Sequence, residues 1–389
     1  MIVFTFPGQG SQKPGMGEAW REHPSWELVP EASGVLGRDL ESLLLRTGAE
    51  ELTRTDNAQL STFLTSLIVL DAVERLGVEP AATAGHSLGE YTALVASGAL
   101  AFDEGLLLVA ERGAAMLEAT TSRVGTMAAV LGLDDDDVEV ACARVDGDVW
   151  VANYNAPGQV VIAGDPEAVG RASEIAKELG AKKVMSMAVS GAFHTPFMTP
   201  ARDRLRSAID GADLRTADLP VYANVDGRAH TGAEWTDLLN AQLCSPVRWR
   251  QTLHNLGDAG ATVFVELGPG SVLTGMAKRT VSGTTTMSVA TPDDLDRLLT
   301  ALASPGESVA VHEGEHLFAT ERMVVSPAAG VFTPSPDLAP GFALSPGTVL
   351  GVVGDQEVRS PFAGTLVGVL AVEGERVTAS QPIAWLRST

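Results

Sequence analysis

Cysteine is nearly missing from this chain: Cys142 and Cys244 are the only two in 389 residues. Two thiols cannot build a disulfide framework, and no Cys/His cluster has metal-ligand spacing. Positive charge is also scarce. With 27 Lys and Arg against 49 Asp and Glu, the net charge is −22, which argues against nucleic acid or an anionic membrane surface as a partner. No apolar run approaches the roughly 18 residues of a membrane span. The opening Met1-Ile2-Val3-Phe4-Thr5-Phe6 carries no cationic leader and runs into Pro7-Gly8, so it reads as a buried first strand rather than a signal peptide. Lysine stops altogether after Lys278. These absences describe a cytoplasmic protein that needs neither metal nor prosthetic cofactor.

What is present is an ordinary globular composition, 45% hydrophobic and 20% charged, in a chain long enough for two or three domains. Its most informative stretch is Ala84-Gly85-His86-Ser87-Leu88-Gly89-Glu90. A short apolar run from Val78 to Ala84 meets a turn of small residues, and a helix-forming stretch follows. Gly-x-Ser-x-Gly at a strand-to-helix junction is a nucleophile elbow, with the serine Oγ left exposed and the next N–H, that of Leu88, at a helix N-terminus. In a glycine-rich chain the pattern alone is weak; the strand–turn–helix setting strengthens it.

Around this stretch the chain reads as α/β. Strand Ile2–Phe6 enters Pro7-Gly8-Gln9-Gly10-Ser11-Gln12, which lacks the lysine of a P-loop and the glycine spacing of a dinucleotide turn. Gln9 between two glycines can instead present a donor to a neighbouring site. Residues 57–76 read as an amphipathic helix, with Asp56 and Gln59 as a capping box. Residues 101–119 form another, with Leu107, Ala110, Ala114 and Leu117 as the apolar side and Arg112 in the middle. An arginine there is ordinarily solvated or paired with Glu111 or Glu118.

From Gly125 to Val189 the order is βαββαβ, a ferredoxin-like unit of about 65 residues inserted into the larger domain. Ser190-Gly191-Ala192-Phe193-His194-Thr195-Pro196 then returns to that domain, bringing a lone histidine toward Ser87. Further strand and helix texture closes the domain near residue 303, with Glu266-Leu267-Gly268-Pro269-Gly270 ending one strand. Residues 304–321 are a polar, acidic linker. Beyond it lies an internal repeat: Val325-Ser326-Pro327-Ala328-Ala329-Gly330 is echoed by Arg359-Ser360-Pro361-Phe362-Ala363-Gly364. Gly347-Thr348-Val349-Leu350 is echoed by Ser380-Gln381-Pro382-Ile383 after a one-residue slip. Two all-β halves of this kind suggest a small barrel-sandwich with pseudo-twofold symmetry.

Five motifs in order, Gly8-Gln9-Gly10-Ser11-Gln12, Gly85 to Glu90, Arg112-Gly113, Gly191 to His194 and Glu266 to Gly270, make residues 1–300 resemble the malonyl-CoA:acyl-carrier-protein transacylases. The resemblance implies an α/β-hydrolase-like core (1–124 and 190–303) with a ferredoxin-like insert (125–189). It implies Ser87 as nucleophile and His194 as its base, with the main-chain carbonyl of Gln242 orienting the imidazole. The N–H groups of Gln9 and Leu88 become the oxyanion hole, Arg112 the fork for the malonyl carboxylate, and Phe193 a bulky neighbour that disfavours an α-methyl group. It implies malonyl-CoA and an acyl carrier protein as partners, in fatty-acid synthesis or, alternatively, as a trans-acting polyketide acyltransferase; the elbow alone also fits a serine thioesterase. Because carrier proteins are acidic, docking on a −22 chain calls for a local basic patch, for which Lys182, Lys183, Arg248, Arg250, Lys278 and Arg279 are candidates. Residues 322–389 resemble a biotinyl/lipoyl-type domain, but the hairpin Val353-Gly354-Asp355-Gln356-Glu357-Val358 has no lysine to carry the group.

Overall fold

The structure, a computed structural model, describes residues 1–189, 191–302, 321–336, 338–345, 347–354, 356–360, 363–378 and 381–387. They fall into two compact units that divide between Ala303 and Ser304. The expected linker 304–321 lies outside the described residues apart from Glu321.

The first unit opens with β1 (Ile2–Phe6), then α1 (Leu28–Leu36), α2 (Leu40–Leu45), α3 (Ala49–Thr53) and α4 (Thr55–Glu74), before β2 (Ala82–Gly85), α5 (Gly89–Ala96) and α6 (Phe102–Ser122). A second layer follows as β3 (Thr126–Leu131), α7 (Asp135–Ala143), β4 (Val149–Ala156), β5 (Gln159–Gly164), α8 (Pro166–Glu178) and β6 (Lys183–Ser186). The chain then returns through α9 (Thr199–Gly211), β7 (Val221–Tyr222), β8 (Ala229–His230), α10 (Trp235–Gln242) and α11 (Trp249–Asp258). It ends in β9 (Val263–Leu267), α12 (Val272–Thr280), β10 (Thr285–Val289) and α13 (Asp293–Leu302).

The main sheet has the order β10-β9-β1-β2-β7-β8, parallel throughout except for the short β8 at its edge. β1 and β2 run side by side while β9 lies on the other side of β1. The loops after these three strands therefore meet at one edge of the sheet, where open parallel sheets place their binding crevice. The inserted layer is a separate antiparallel sheet, ordered β4-β5-β3-β6, with α7 and α8 packed on its face around Val130, Val138, Ile162 and Ala172. Its last strand ends at Ser186, shorter than the 183–189 read from the sequence.

Two helices differ from their sequence patterns. α4 begins at Thr55, and neither Asp56 nor Gln59 caps it. Nor is it amphipathic: from Asn57 to Leu70 every residue is buried, including Gln59, Ser61, Thr62, Thr65 and Ser66. Short polar side chains lower its apparent hydrophobicity although it runs through the core, packed against α5 and α6. In α6 the expected apolar side is the half-exposed one, with Leu107 51% exposed. The buried stripe is Leu108, Val109, Arg112, Ala115, Met116 and Ala119. The arginine itself is part of the inward face. Glu111 and Glu118, its expected partners, bind Arg204 of α9 at 2.7 and 2.5 Å.

The second unit has strands β11 (Glu321–Val325), β12 (Gly330–Pro334), β13 (Ala343–Leu344), β14 (Val349–Val353), β15 (Gln356–Arg359), β16 (Gly364–Val369), β17 (Arg376–Val377) and β18 (Pro382–Arg387). They form two four-stranded sheets, β11-β18-β16-β13 and β15-β14-β12-β17. Exchanging the first four strands for the last four converts one sheet into the other, so the sequence repeat appears as an exchange of strands between sheets. Phe332, Leu350, Val358, Ile383 and Leu386 fill the core between them.

Candidate active site

The turn after β2 leaves no room for a side chain two residues before or two residues after Ser87. A Cβ on Gly85 would lie 1.8 Å from the Gly89 backbone, and one on Gly89 would lie 2.0 Å from the Phe6 carbonyl oxygen. Among the described residues only two that are not glycine have left-handed backbones, Ser87 (φ 53°) and His194 (φ 60°). Such backbones cost on the order of 1–3 kcal/mol each and persist where surroundings over-determine them. Asn224, just beyond β7, provides part of that restraint. Its Oδ1 accepts from the Ser87 N–H at 2.6 Å, and its Nδ2 donates to the Gly85 carbonyl at 2.7 Å.

These two strained residues face each other. Ser87 Oγ lies 2.7 Å from His194 Nε2, and His194 Nδ1 lies 3.0 Å from the main-chain oxygen of Gln242. A carbonyl only accepts, so Nδ1 carries the proton and Nε2 is free to accept from the serine hydroxyl. Burial, with the nearby Arg112 charge, pulls the His194 pKa down to about 3, so the imidazole is neutral at pH 7.

Arg112 reaches the same point from α6. It is fully buried, yet among the described residues no carboxylate is hydrogen-bonded to it. Its Nη1 donates to Gln59 Oε1, and its Nη2 to Ser87 Oγ and Gln242 Oε1, both at 3.0 Å. Among the described residues its Nε has no acceptor, and Tyr91 lies beneath it with the ring centre 5.5 Å away. A buried guanidinium held only by neutral oxygens is a ready receptor for a carboxylate beside Ser87.

Around them lies a cavity of about 320 Å³. The β1 loop (Gly8 to Ser11), the β2 turn and α12 bound it on one side; Phe193 and the inserted sheet bound it on the other. Five of the ten methionines line it: Met116, Met127, Met185, Met187 and Met276. Gln9 is on the wall, its Oε1 accepting from Gln59 Nε2 at 3.3 Å. Leu88 is the N-cap residue of α5, where backbone donors lack intrahelical acceptors. The neighbouring amides are already committed, Ser87 N–H to Asn224 and Gly89 N–H to His86 O.

The fold thus brings Ser87, His194, Arg112, Gln242, Gln9, Leu88 and Phe193 to one crevice. Four participants have no role in the sequence reading. Gln59 reads there as a helix cap, Glu90 as a letter of the elbow motif, Asn155 as a turn residue between two strands, and Asn224 only as part of a strand. Asn155 Oδ1 accepts from His86 Nε2 at 2.9 Å on the cavity wall. Each of the four is a buried polar residue on a separate segment, and only tertiary packing brings them together.

A profile of the acyl transferase domain family matches residues 3–292. The chain belongs to that family. A Bacillus subtilis protein named malonyl CoA-acyl carrier protein transacylase is 41% identical over 313 residues, 79% of this chain and 99% of that protein. The protein of that name from Escherichia coli K12 is 40% identical over 298 residues, 75% and 96% of the two chains. Among solved structures, an acyl carrier protein S-malonyltransferase from Vibrio cholerae superposes with a TM-score of 0.74 at 38% identity, over 76% of this chain and 99% of that one. A malonyl-transacylase in complex with its type II PKS acyl-carrier protein gives 0.75 at 37% identity, over 77% and 99%. The family match ends before the second unit begins.

Proposed function

We infer that this acyl transferase moves a malonyl group from malonyl-CoA to the phosphopantetheine thiol of an acyl carrier protein, through malonyl-Ser87. The observation that carries this reading is Arg112, a buried cation with no carboxylate partner among the described residues, 3.0 Å from the Ser87 hydroxyl. A free carboxylate on the acyl group completes it; acetyl leaves it unanswered.

The chemistry is a ping-pong exchange. His194 Nε2 takes the proton as Ser87 Oγ forms its bond to the thioester carbon. The carbonyl electrons move to oxygen, where the N–H groups of Leu88 and Gln9 hold the oxyanion, each such donor being worth roughly 10²–10³ in rate. Collapse breaks the C–S bond, and His194 gives its proton to the departing CoA thiolate. The carrier thiol then attacks the ester by the same steps in reverse. The Gln242 carbonyl keeps Nδ1 protonated throughout. Phe193, buried at the cavity wall, crowds an α-methyl group, a discrimination of roughly 1–3 kcal/mol.

The architecture is read as an α/β-hydrolase-like core, 1–124 with 190–303, and a ferredoxin-like insert, 125–189, whose sheet order β4-β5-β3-β6 is the order that fold requires. The exposed cations Lys182 and Arg279, each followed or preceded in the chain by a further exposed lysine (Lys183, Lys278), lie beside residues near the cleft. Lys182 packs on Gly132, which touches Gly158, while Arg279 donates to Gln159 on the cavity wall. They, with Arg248, form the carrier-docking patch; Arg250 is already bound to Asp135 at 2.6 Å. Residues 322–389 form a biotinyl/lipoyl-like domain that stays unmodified, since no amine is present to form the amide. The carrier belongs to fatty-acid synthesis, with a polyketide carrier as the alternative, and the setting is cytoplasmic.

The test is steady-state transfer from malonyl-CoA to holo-carrier protein. Parallel reciprocal plots, with no CoA released beyond malonyl transferred, support the reading. Steady CoA release without carrier would make the protein a thioesterase.

A further inference from the structure

Glu90 is wholly buried one turn beyond Ser87 and takes no part in the steps above. Its two oxygens serve two different donors. Oε1 accepts from the main-chain N–H of Asn224 at 2.8 Å, and Oε2 accepts from Gln242 Nε2. Gln242 Nε2 also donates to the Ser87 carbonyl at 2.9 Å, while its Oε1 receives Arg112.

An amide side chain has one accepting and one donating end. A carboxylate accepts at both oxygens. Glu90 and the Ser87 carbonyl, both acceptors, therefore turn the NH2 of Gln242 inward and its oxygen toward Arg112, with Glu90 supplying the charged acceptor. The same carboxylate carries the negative charge nearest in bonding to Arg112, transmitted through a single neutral amide. Resting on the malonyl reading above, we propose that Glu90 is a positioning residue for acyl-group selection: by fixing the amide orientation of Gln242, it aims Arg112 at the carboxylate of the acyl group.

An isosteric change at Glu90 alters only its hydrogen-bonding pattern and charge. In Glu90→Gln, one of the two acceptors becomes an NH2. Turned toward Asn224, it opposes an N–H. Turned toward Gln242, it opposes another NH2, and Gln242 can relieve this only by rotating its own NH2 onto the Arg112 guanidinium. Every arrangement loses a bond, and one displaces Arg112.

The experiment compares acylation of Ser87 by malonyl-CoA and acetyl-CoA in the wild type, Glu90→Gln, Gln242→Met and the double variant. A wild type that takes up no malonyl group overturns the functional reading itself. Given wild-type malonyl uptake, Glu90→Gln lowers the malonyl-to-acetyl rate ratio by about tenfold or more, the weight of one charge-assisted hydrogen bond. In the Gln242→Met background the same change adds nothing further, because the amide it acts through is gone. Two results overturn the proposal: malonyl and acetyl rates falling together with the ratio kept, or Glu90→Gln lowering the ratio as much with Gln242→Met as without it. Should Glu90→Gln fail to fold, the wild-type ratio against pH decides. Protonating Glu90, which faces Arg112, Tyr91 and Asp226, lowers the ratio at acid pH. Protonation of His194 slows both substrates alike and cancels. A flat wild-type ratio contradicts the proposal.

Discussion

Replacing Arg112 with methionine separates selection from catalysis. The guanidinium is bonded to neutral oxygens, with the Glu90 carboxylate one amide away, so an acyl carboxylate would be the only anion in direct contact with it. Once malonyl is esterified to Ser87, its carboxylate lies two carbons from Oγ, within contact distance of the Nη2 that now sits 3.0 Å from Oγ. At about 4 Å and an effective dielectric constant of about 20, the attraction is about 4 kcal/mol. Desolvating the carboxylate takes back part of this, leaving about 3 kcal/mol, in line with two charge-assisted hydrogen bonds. Arg112→Met therefore slows malonyl loading by about 10²-fold, each 1.4 kcal/mol being a factor of ten. Acetyl loading stays within a few-fold of the wild type, because the Ser87–His194–Gln242 chain does not pass through Arg112. Quenched-flow mixing with intact-mass detection reads both rates. Equal losses for the two substrates would refute the reasoning and make Arg112 a support for the serine instead.

Two groups in the site oppose each other in their effect on stability against pH. Burial pushes Glu90 up to about 7, against the pull of the Asn224 and Gln242 bonds and of Arg112. His194 is held down at about 3, by burial first and Arg112 second. The folded state keeps the Glu90 proton longer than the unfolded chain does, so this term lowers stability as pH rises from about 4.5 to 7. The unfolded chain takes the His194 proton first, so that term raises stability from about pH 3 to 6.5. Between about pH 4.5 and 6.5 they nearly cancel. Urea titrations of Glu90→Gln relative to wild type should gain a positive slope of about 1.4 kcal/mol per pH unit in that window; no difference in slope contradicts the assignment.

Alanine at Gly89 would ordinarily help a helix by about 1 kcal/mol, but here its Cβ meets the Phe6 carbonyl oxygen at 2.0 Å. Gly89→Ala should instead destabilise by about 2–3 kcal/mol, measured by urea unfolding. Reversing Lys278 and Lys183 to glutamate should raise KM for carrier protein about tenfold at low salt, the effect shrinking as salt screens it. Unchanged KM would remove these lysines from the docking surface.

The elbow was legible in the sequence because its chemistry is local: glycine two residues before and after the serine, between a strand and a helix. The second unit was legible because a repeat needs no neighbours to be seen, and its one-residue slip reappears in the strand starts at Val349 and Pro382. The inner wall of the site was not legible. Gln59, Glu90 and Asn224 acquire meaning only when α4, α5 and the segment after β7 converge. A buried helix rich in serine and threonine gives the same pattern as an exposed one. Leu107 and its neighbours at helical spacing outweighed Arg112 in the reading of α6, although the true inward stripe contains it. A cation that is functionally buried breaks the pattern used to find burial.

Transfer by this route requires a covalent intermediate at Ser87. Intact mass of the full chain after brief exposure to malonyl-CoA, with Ser87→Ala alongside, tests it directly. One malonyl adduct should form on the wild type, none on the variant, and holo-carrier protein should remove it; the unreacted mass should show no biotin or lipoyl group. An adduct that persists in Ser87→Ala, or no adduct while CoA is released, would contradict it.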